Sequence, residues 1–172
     1  MKFTVTNQAD NLIHQTRAHH GQLSSMADVK ASTLITLSSV LLTISVPRVH
    51  RDGSNAALIV LMVFSLLTIL LASYSAMPKY EGRKRRKVPE GSTSPAFNVL
   101  FYGHFSEVSY EEYKKEMEIV LNSADLSYEA QLREIHSIGQ YLASTKYRFL
   151  RLAYLSFMTG LGTSLVTFLA LR

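Results

Sequence analysis

Residues 56–77 read AALIVLMVFSLLTILLASYSAM and lie within the longer charge-free run Gly53–Pro78. A helix that crosses the hydrocarbon core of a bilayer, about 30 Å thick, needs about 20 apolar residues. Two further charge-free runs, Ala31–Pro47 and Leu152–Leu171, have about this length. All three largely lack the polar face that a long helix carries in a soluble protein. The sequence therefore predicts three transmembrane helices.

Composition narrows the class of protein further. A chain of 172 residues has room for one small membrane bundle with a modest part outside the membrane. The formal net charge is +5, and most of the excess lies beside the spans, which indicates topology and anionic lipid rather than nucleic acid. The absence of cysteine excludes a disulfide framework and a thiolate metal site. Residues 1–26 lack the apolar core of a cleaved signal peptide, so we expect none.

The distribution of Lys and Arg predicts the orientation, because basic residues close to span ends stay in the cytosol. The loop between the first two spans holds only Arg48 and Arg51 against Asp52. The segment after the second span is far more basic, and its charges next to the two spans are Lys79, Arg83-Lys84-Arg85-Arg86-Lys87, Lys146, Arg148 and Arg151. The N-terminus and this segment are predicted to be cytosolic, with the C-terminus outside.

Helical signals also continue beyond the spans. No proline separates residues 7–30 from the first span, and Ser109 with Glu112 forms a capping box that opens a helix to about Leu121. Asp125 is a candidate cap for the next helix, which runs without proline into the third span. The aromatic segment before them, residues 97–105, is either a short strand or an ordered packing segment.

We therefore predict an all-α membrane protein with a mainly helical cytosolic module, in which the first and third spans extend into the cytosol as long helices. Two such helices would transmit a rearrangement in the module to the membrane. The predicted division of the single unit is a cytosolic N-terminal helix at 1–30, spans at 31–50 and 55–77, a cytosolic sensor segment at 78–149, and a third span at 150–171.

Small polar residues mark predicted packing surfaces in two spans. Ser156, Gly160 and Ser164 follow each other at four-residue spacing, a pattern of close contact between helices or between chains. The first span carries a hydroxyl stripe, defined as Ser32, Thr36, Ser39 and Thr43. This stripe is either a helix-packing face, the more frequent use of such residues, or a face that lines water on activation.

Asp28 and Lys30 lie at the membrane mouth of the first span, where a charge is costly unless it is paired or reaches the interface. One interpretation is that Lys30 reaches the interface while Asp28 pairs with a basic residue such as Arg148 or Arg151. The other is a polar hinge that gates the span.

No catalytic motif is recognisable, and the six histidines show no spacing typical of a metal site. We therefore expect a protein that is not an enzyme and has no catalytic residue, metal or cofactor. A small nucleotide would need cations for its phosphate and aromatic rings for its base. The candidates for such a ligand site are Asn98, Phe101, Tyr102, His104, Lys146 and Arg148. The alternative is that these aromatic side chains fill a small core.

Three segments in order give the chain a family resemblance. They are ADVKAS at 27–32, NVLFYGHF at 98–105 followed by SYEEY at 109–113, and residues 137–151 leading into the third span. Together they resemble the transmembrane effectors of Pycsar, a bacterial anti-phage system built on cyclic pyrimidine nucleotides. The resemblance covers nearly the whole chain from about Ala18.

The resemblance implies a specific role. A partner cyclase would make cyclic CMP or cyclic UMP on infection, and this inner-membrane protein would sense that nucleotide. It would then assemble as a homo-oligomer and impair the membrane, so that the infected cell dies. The C-terminus would then be periplasmic. Two alternatives stay open at this point. One is a ligand-independent pore former or accessory membrane subunit, and the other is a membrane-surface enzyme built on His104, His136, Glu112 or Asp28.

Overall fold

The computed structural model describes residues 7–52, 55–77, 98–106 and 108–171, with the side chains of Asp52, Tyr102 and Gly103 left aside. The basic run at 83–87 and the loop at 88–95 lie outside the described residues. The elements are α1 (Asn7–Asp52), α2 (Ala56–Ala76), α3 (Tyr102–Phe105), α4 (Tyr110–Leu121), α5 (Ala124–Tyr141), a π-helical segment (Leu142–Tyr147) and α6 (Arg148–Ala170). Every element in these ranges is helical, which confirms the predicted all-α class.

Within the described ranges, three helical stretches are long and apolar enough to span a membrane. They lie in α1, in α2 and in the helical run Ala124–Ala170. The first stretch belongs to a helix of 46 residues that continues through Pro47. The prediction that the first and third spans extend beyond the membrane as long helices is therefore confirmed.

The described chain forms two compact units. The head unit contains residues 7–22 and 98–141, and the membrane unit contains residues 23–77 and 142–171. The chain passes from one unit to the other within α1 and again at the start of the π-helical segment.

In the membrane unit, α2 and α6 run antiparallel and touch along their lengths. Ser164 Oγ donates a hydrogen bond to Ala57 O (2.9 Å), and Thr68 Oγ1 donates to Ser156 Oγ (3.2 Å). Between these contacts the α6 backbone at Gly160 comes so close that an added Cβ would lie 2.4 Å from Phe64 Cβ. Small residues allow this approach, which is how helices associate in lipid, where apolar burial gives little driving force.

The inner part of α1 joins this pair through small and apolar side chains. The buried cluster consists of Ala27, Ala31, Leu34, Ala72, Leu150 and Ala153. The hydroxyl stripe of α1 lies on another face, where Ser32, Thr36 and Thr43 are exposed. Thr36 and Thr43 donate hydrogen bonds to backbone carbonyls one turn earlier, at 3.0 Å and 2.9 Å. The stripe therefore does not supply the contacts between the spans of one chain.

In the head unit, the first turns of α1 run parallel to α5. Tyr128 donates a hydrogen bond to Asp10, and Arg17 forms an ion pair with Glu134. Further along both helices, Gly139 faces the ring of His20, and a Cβ added at 139 would lie 3.4 Å from His20 Cε1. The Asp10 carboxylate accepts this hydrogen bond, which stabilises the neutral phenol and thereby raises the pKa of Tyr128.

The sequence predicts two N-terminal caps, one for α4 and one for α5. The capping box is confirmed, since Ser109 Oγ accepts from Glu112 N (3.3 Å) and the Glu112 carboxylate accepts from Ser109 N (3.1 Å). The predicted cap at Asp125 is wrong, because α5 already begins at Ala124, the residue before Asp125. Ser123 Oγ accepts from Leu126 N (3.4 Å) and takes that position, so Asp125 lies in the first turn.

Candidate functional site

Asn98 organises the aromatic segment of the head unit. Its side chain is buried, with 6% exposed. Nδ2 donates a hydrogen bond to Ala130 O on α5 (2.9 Å), while Oδ1 accepts one from Leu100 N (3.0 Å). These bonds fix a turn at residues 99–100 that leads into α3, so the segment from 98 to 105 is a turn and a short helix rather than a strand.

His104 and Phe101 lie beside this turn. His104 Nδ1 accepts a hydrogen bond from Asn98 N (3.0 Å), which places the proton of a neutral ring on Nε2. The ring of Phe101 meets that of His104 edge-on, with centroids 5.0 Å apart. Beneath the segment, Val99 packs into a small core with Val120 and Ala130. Three of the six candidate ligand residues therefore come together here.

The other three candidates are placed differently. The side chain of Tyr102 lies outside the described part of the chain. Lys146 is buried within the membrane unit, and Arg148 is exposed there at the start of α6. Binding of a nucleotide by the six residues therefore stays a prediction.

Glu116 was missed by the sequence analysis. It lies on the inner face of α4, one turn before Val120, with only 7% of its surface exposed. Its Oε2 atom has no hydrogen-bond partner among the described residues. Burial penalises the charged form and raises the pKa of this carboxyl group above its usual range. The helical spacing from Tyr113 to Val120 is the signal that identifies an inward position here.

Lys146 forms a polar cluster with Asp28 and Ser24 at one end of the membrane unit. Its ammonium lies 2.7 Å from both carboxylate oxygens of Asp28 and donates a further hydrogen bond to Ser24 Oγ (2.9 Å). The side chain of Lys146 is 10% exposed and that of Asp28 is 45% exposed. Neighbouring bonds support the cluster, since Ser75 Oγ donates to Lys146 O (2.8 Å) and Tyr147 to Leu23 O (3.1 Å).

The predicted partners of Asp28, Arg148 and Arg151, are wrong for this structure, because Lys146 occupies both of its oxygens and the two arginines are exposed. Lys146 lies within the π-helical segment and faces α1, whereas the two arginines follow that segment on the exposed side of α6. Lys30 lies on the exposed side of α1.

The three small residues of α6 face α2. Ser156 Oγ donates to Phe64 O (3.3 Å), Ser164 contacts the backbone of Ala57, and Gly160 lies against Phe64. In the described structure these are contacts between spans of one chain. Contacts between chains through the same residues stay a prediction.

The fold and these sites define a helical membrane protein in which one compact head unit accompanies one three-helix membrane unit. Residues 11–172 match the family model described as the Pycsar effector protein domain. The chain therefore belongs to the Pycsar effector family, and it is an effector of anti-phage defence, which in general implies a cyclic pyrimidine nucleotide and a partner cyclase. No protein of curated function and no solved structure matches the chain.

Proposed function

We propose that this protein senses a cyclic pyrimidine nucleotide through its head unit and then impairs the bacterial inner membrane, which kills the infected cell. The observation that carries the proposal is the extent of the family match, which includes both units in one effector domain from residue 11 to residue 172. The action needs no chemical step, so the protein acts as a gated membrane effector and not as an enzyme.

The head unit offers chemistry suited to the ligand. Phe101 and His104 supply half-buried aromatic rings on which a base can stack. We propose cyclic CMP or cyclic UMP as the ligand, with the aromatic segment 98–105 as its contact region. Lys146 and Arg148 stay candidate phosphate partners by their charge alone, and Lys146 would first have to leave Asp28.

The proposed activation follows from simple energetics. A ligand shifts a conformational equilibrium only if it binds the active state better than the resting state. Raising the active population from about 1% to 99% takes about 5.5 kcal/mol of differential binding. In this proposal Asp28 and Lys146 stabilise the resting state, because their contact joins α1 to the π-helical segment. The pair is therefore a polar hinge whose opening accompanies activation.

Topology and assembly complete the proposal. The basic residues beside the spans favour a cytosolic N-terminus, a cytosolic head unit and a periplasmic C-terminus in the inner membrane. Three helices enclose little volume, so several chains are needed to surround a water-filled opening. We therefore propose homo-oligomerisation on activation, which also sharpens the response to the nucleotide.

The test uses purified protein in liposomes loaded with a self-quenching dye. Cyclic CMP, cyclic UMP and cyclic AMP are added separately, and dye release is followed. Release with a cyclic pyrimidine and none with cyclic AMP would support the gated effector and identify its ligand. Equal release without nucleotide would instead establish a ligand-independent pore former. No release under any condition would refute membrane impairment by this protein.

A matched pair of histidine variants tests the head unit. His104→Asn keeps an acceptor near the position of Nδ1 for the Asn98 N–H group but removes the rest of the ring. His136→Asn changes an exposed residue of α5 in the same unit. We expect His104→Asn to shift the nucleotide dose needed for release upward, while His136→Asn leaves it unchanged. Identical dose curves for the two variants would exclude the aromatic segment as the ligand site.

A further inference from the structure

The interior of the membrane unit holds hydroxyl groups where a soluble protein holds large apolar side chains. The largest side chains that are completely shielded in the described residues are Thr68, Ser38 and Ser75. Ser45 and Ser65 are also buried, each with 2% exposed. Large apolar side chains such as Leu66 and Leu70 face outward. The outer surface of the unit therefore suits lipid, and its interior combines small and apolar side chains, among them Leu34 and Leu150, with an unusual number of buried hydroxyl groups.

These hydroxyl groups extend along the full length of the unit. Ser75 bonds to Lys146 O at one end of α2, Thr68 bonds to Ser156 in the middle, and Ser164 bonds to Ala57 O at the other end. From residue 75 to residue 57, α2 covers about 27 Å at 1.5 Å per residue. That length is close to the thickness of the hydrocarbon core, about 30 Å. Ser75, Thr68 and Ser164 thus place hydroxyl groups at intervals along a length of α2 comparable to that thickness.

Ser38 provides an independent indication that this interior can take a polar ligand. It lies one turn beyond Leu34 on the buried face of α1 and has no exposed surface. Its hydroxyl group has no hydrogen-bond partner among the described residues. Thr36 and Thr43 on the outer hydroxyl stripe are satisfied by the backbone of their own helix. An unpaired buried hydroxyl is unfavourable in a dry environment and becomes favourable beside water.

We propose that, in the assembled active protein, the helices of each chain separate and the inner faces of α1, α2 and α6, rather than the outer hydroxyl stripe, surround a path for water and small hydrated ions between several chains. The inference rests on the proposed membrane impairment and names the residues that carry it, above all Ser38 and Thr68. The helices meet through small side chains such as Ala31 and Ala153, with Leu34 and Leu150 in the same cluster, so their separation exposes some apolar surface, and nucleotide binding has to offset that cost. The newly exposed hydroxyl groups then hydrogen-bond to water.

Cysteine accessibility tests the path without background, because the chain contains no cysteine. The variants are Ser38→Cys and Thr68→Cys inside the unit, Thr36→Cys on the outer stripe, and Val40→Cys, whose parent residue is 50% exposed toward lipid. A charged, membrane-impermeant methanethiosulfonate reagent is added to the protein in liposomes with cyclic CMP or cyclic UMP. The cysteine thiolate attacks the reagent's thiol-level sulfur and displaces methanesulfinate, and this thiolate forms in water but is suppressed in apolar surroundings.

We expect several-fold faster labelling at positions 38 and 68 when the nucleotide triggers dye release, and unchanged slow labelling at 36 and 40. Labelling at 36 but not at 38 and 68, while dye is released, would overturn the path and leave the membrane effector intact. Failure of the cysteine-free protein to release dye would refute both. Because Thr68→Cys disturbs a hydrogen bond, Ser38→Asp gives a second readout, and it should favour release of a cationic over an anionic dye. Equal release of the two dyes by Ser38→Asp would contradict the proposed lining.

Discussion

The close approach of α6 to α2 at Gly160 gives the most direct prediction, which concerns Gly160→Ala. The new Cβ would lie 2.4 Å from Phe64 Cβ, whereas ordinary contacts begin at 3.4 Å. Phe64 Cβ is attached directly to the backbone and cannot turn away, so α2 and α6 must separate locally by about 1 Å. That displacement also stretches the bonds from Ser156 to Phe64 O (3.3 Å) and from Thr68 to Ser156 (3.2 Å).

The expected loss of stability follows from these two effects. Overpacking in a tight interior costs about 1–3 kcal/mol. Interhelical hydrogen bonds in membranes contribute about 0.6 kcal/mol each on average. The free energy of unfolding should therefore fall by about 2–4 kcal/mol. Gly162→Ala is the matched control, because a Cβ at 162 meets nothing within 4 Å. Both changes replace glycine by alanine in the same helix, so the difference in helix propensity cancels.

The measurement is unfolding by sodium dodecyl sulfate in mixed micelles. Near-ultraviolet circular dichroism can follow it, because the ring of Tyr74 packs edge-on against Phe149 in the membrane unit, with centroids 4.3 Å apart. We expect Gly160→Ala to unfold at a clearly lower detergent fraction than Gly162→Ala. Equal midpoints for the two variants would refute the argument that the backbones of α2 and α6 are in contact at this position.

The remaining predictions concern single polar groups. Asp28→Asn should lower the free energy of unfolding by about 1–3 kcal/mol, because the buried Lys146 ammonium loses its charged partner, and an unchanged SDS midpoint would contradict this. Glu116→Gln should stabilise the protein at pH 7. Because burial raises the pKa of Glu116, the native protein loses stability as the pH rises from about 4.5 through the raised value and this carboxyl group becomes charged. In thermal unfolding this gain should disappear toward pH 4, and the exposed Glu118→Gln should show no such trend. Ser109→Ala removes the capping box of α4 and should cost about 1 kcal/mol in the same thermal assay, whereas no change would show that the cap is dispensable.

Much of the fold could be predicted from local sequence. The three spans follow from charge-free runs, whose length is set by the thickness of the hydrocarbon core. The capping box at Ser109 and Glu112 is equally local, because both of its bonds lie within four residues. Asp125 shows the limit of this reasoning, since Ser123 is an equally suitable cap and only the start of the helix distinguishes them.

The sequence also brought attention to Asn98, Phe101 and His104, which do lie together in the head unit. It did not indicate that both ends of the Asn98 side chain bond to the protein backbone. It also missed Glu116, because a carboxylate on an amphipathic helix is normally placed on the exposed face. The helical spacing from Tyr113 to Val120 indicates an inward position for Glu116, but its burial depends on contacts between α4 and the rest of the unit.

The sequence by itself determined that this is a three-span helical membrane protein with long helices beyond the membrane, because hydropathy and helix length act locally. Only the tertiary structure decided which hydroxyl groups are inside. Ser and Thr occur on more than one face of α1, and packing against small residues of α2 and α6 buries Ser38 while Thr36 stays exposed. The partner of Asp28 was decided in the same way, since the contact between α1 and the π-helical segment joins residues 118 positions apart in the chain.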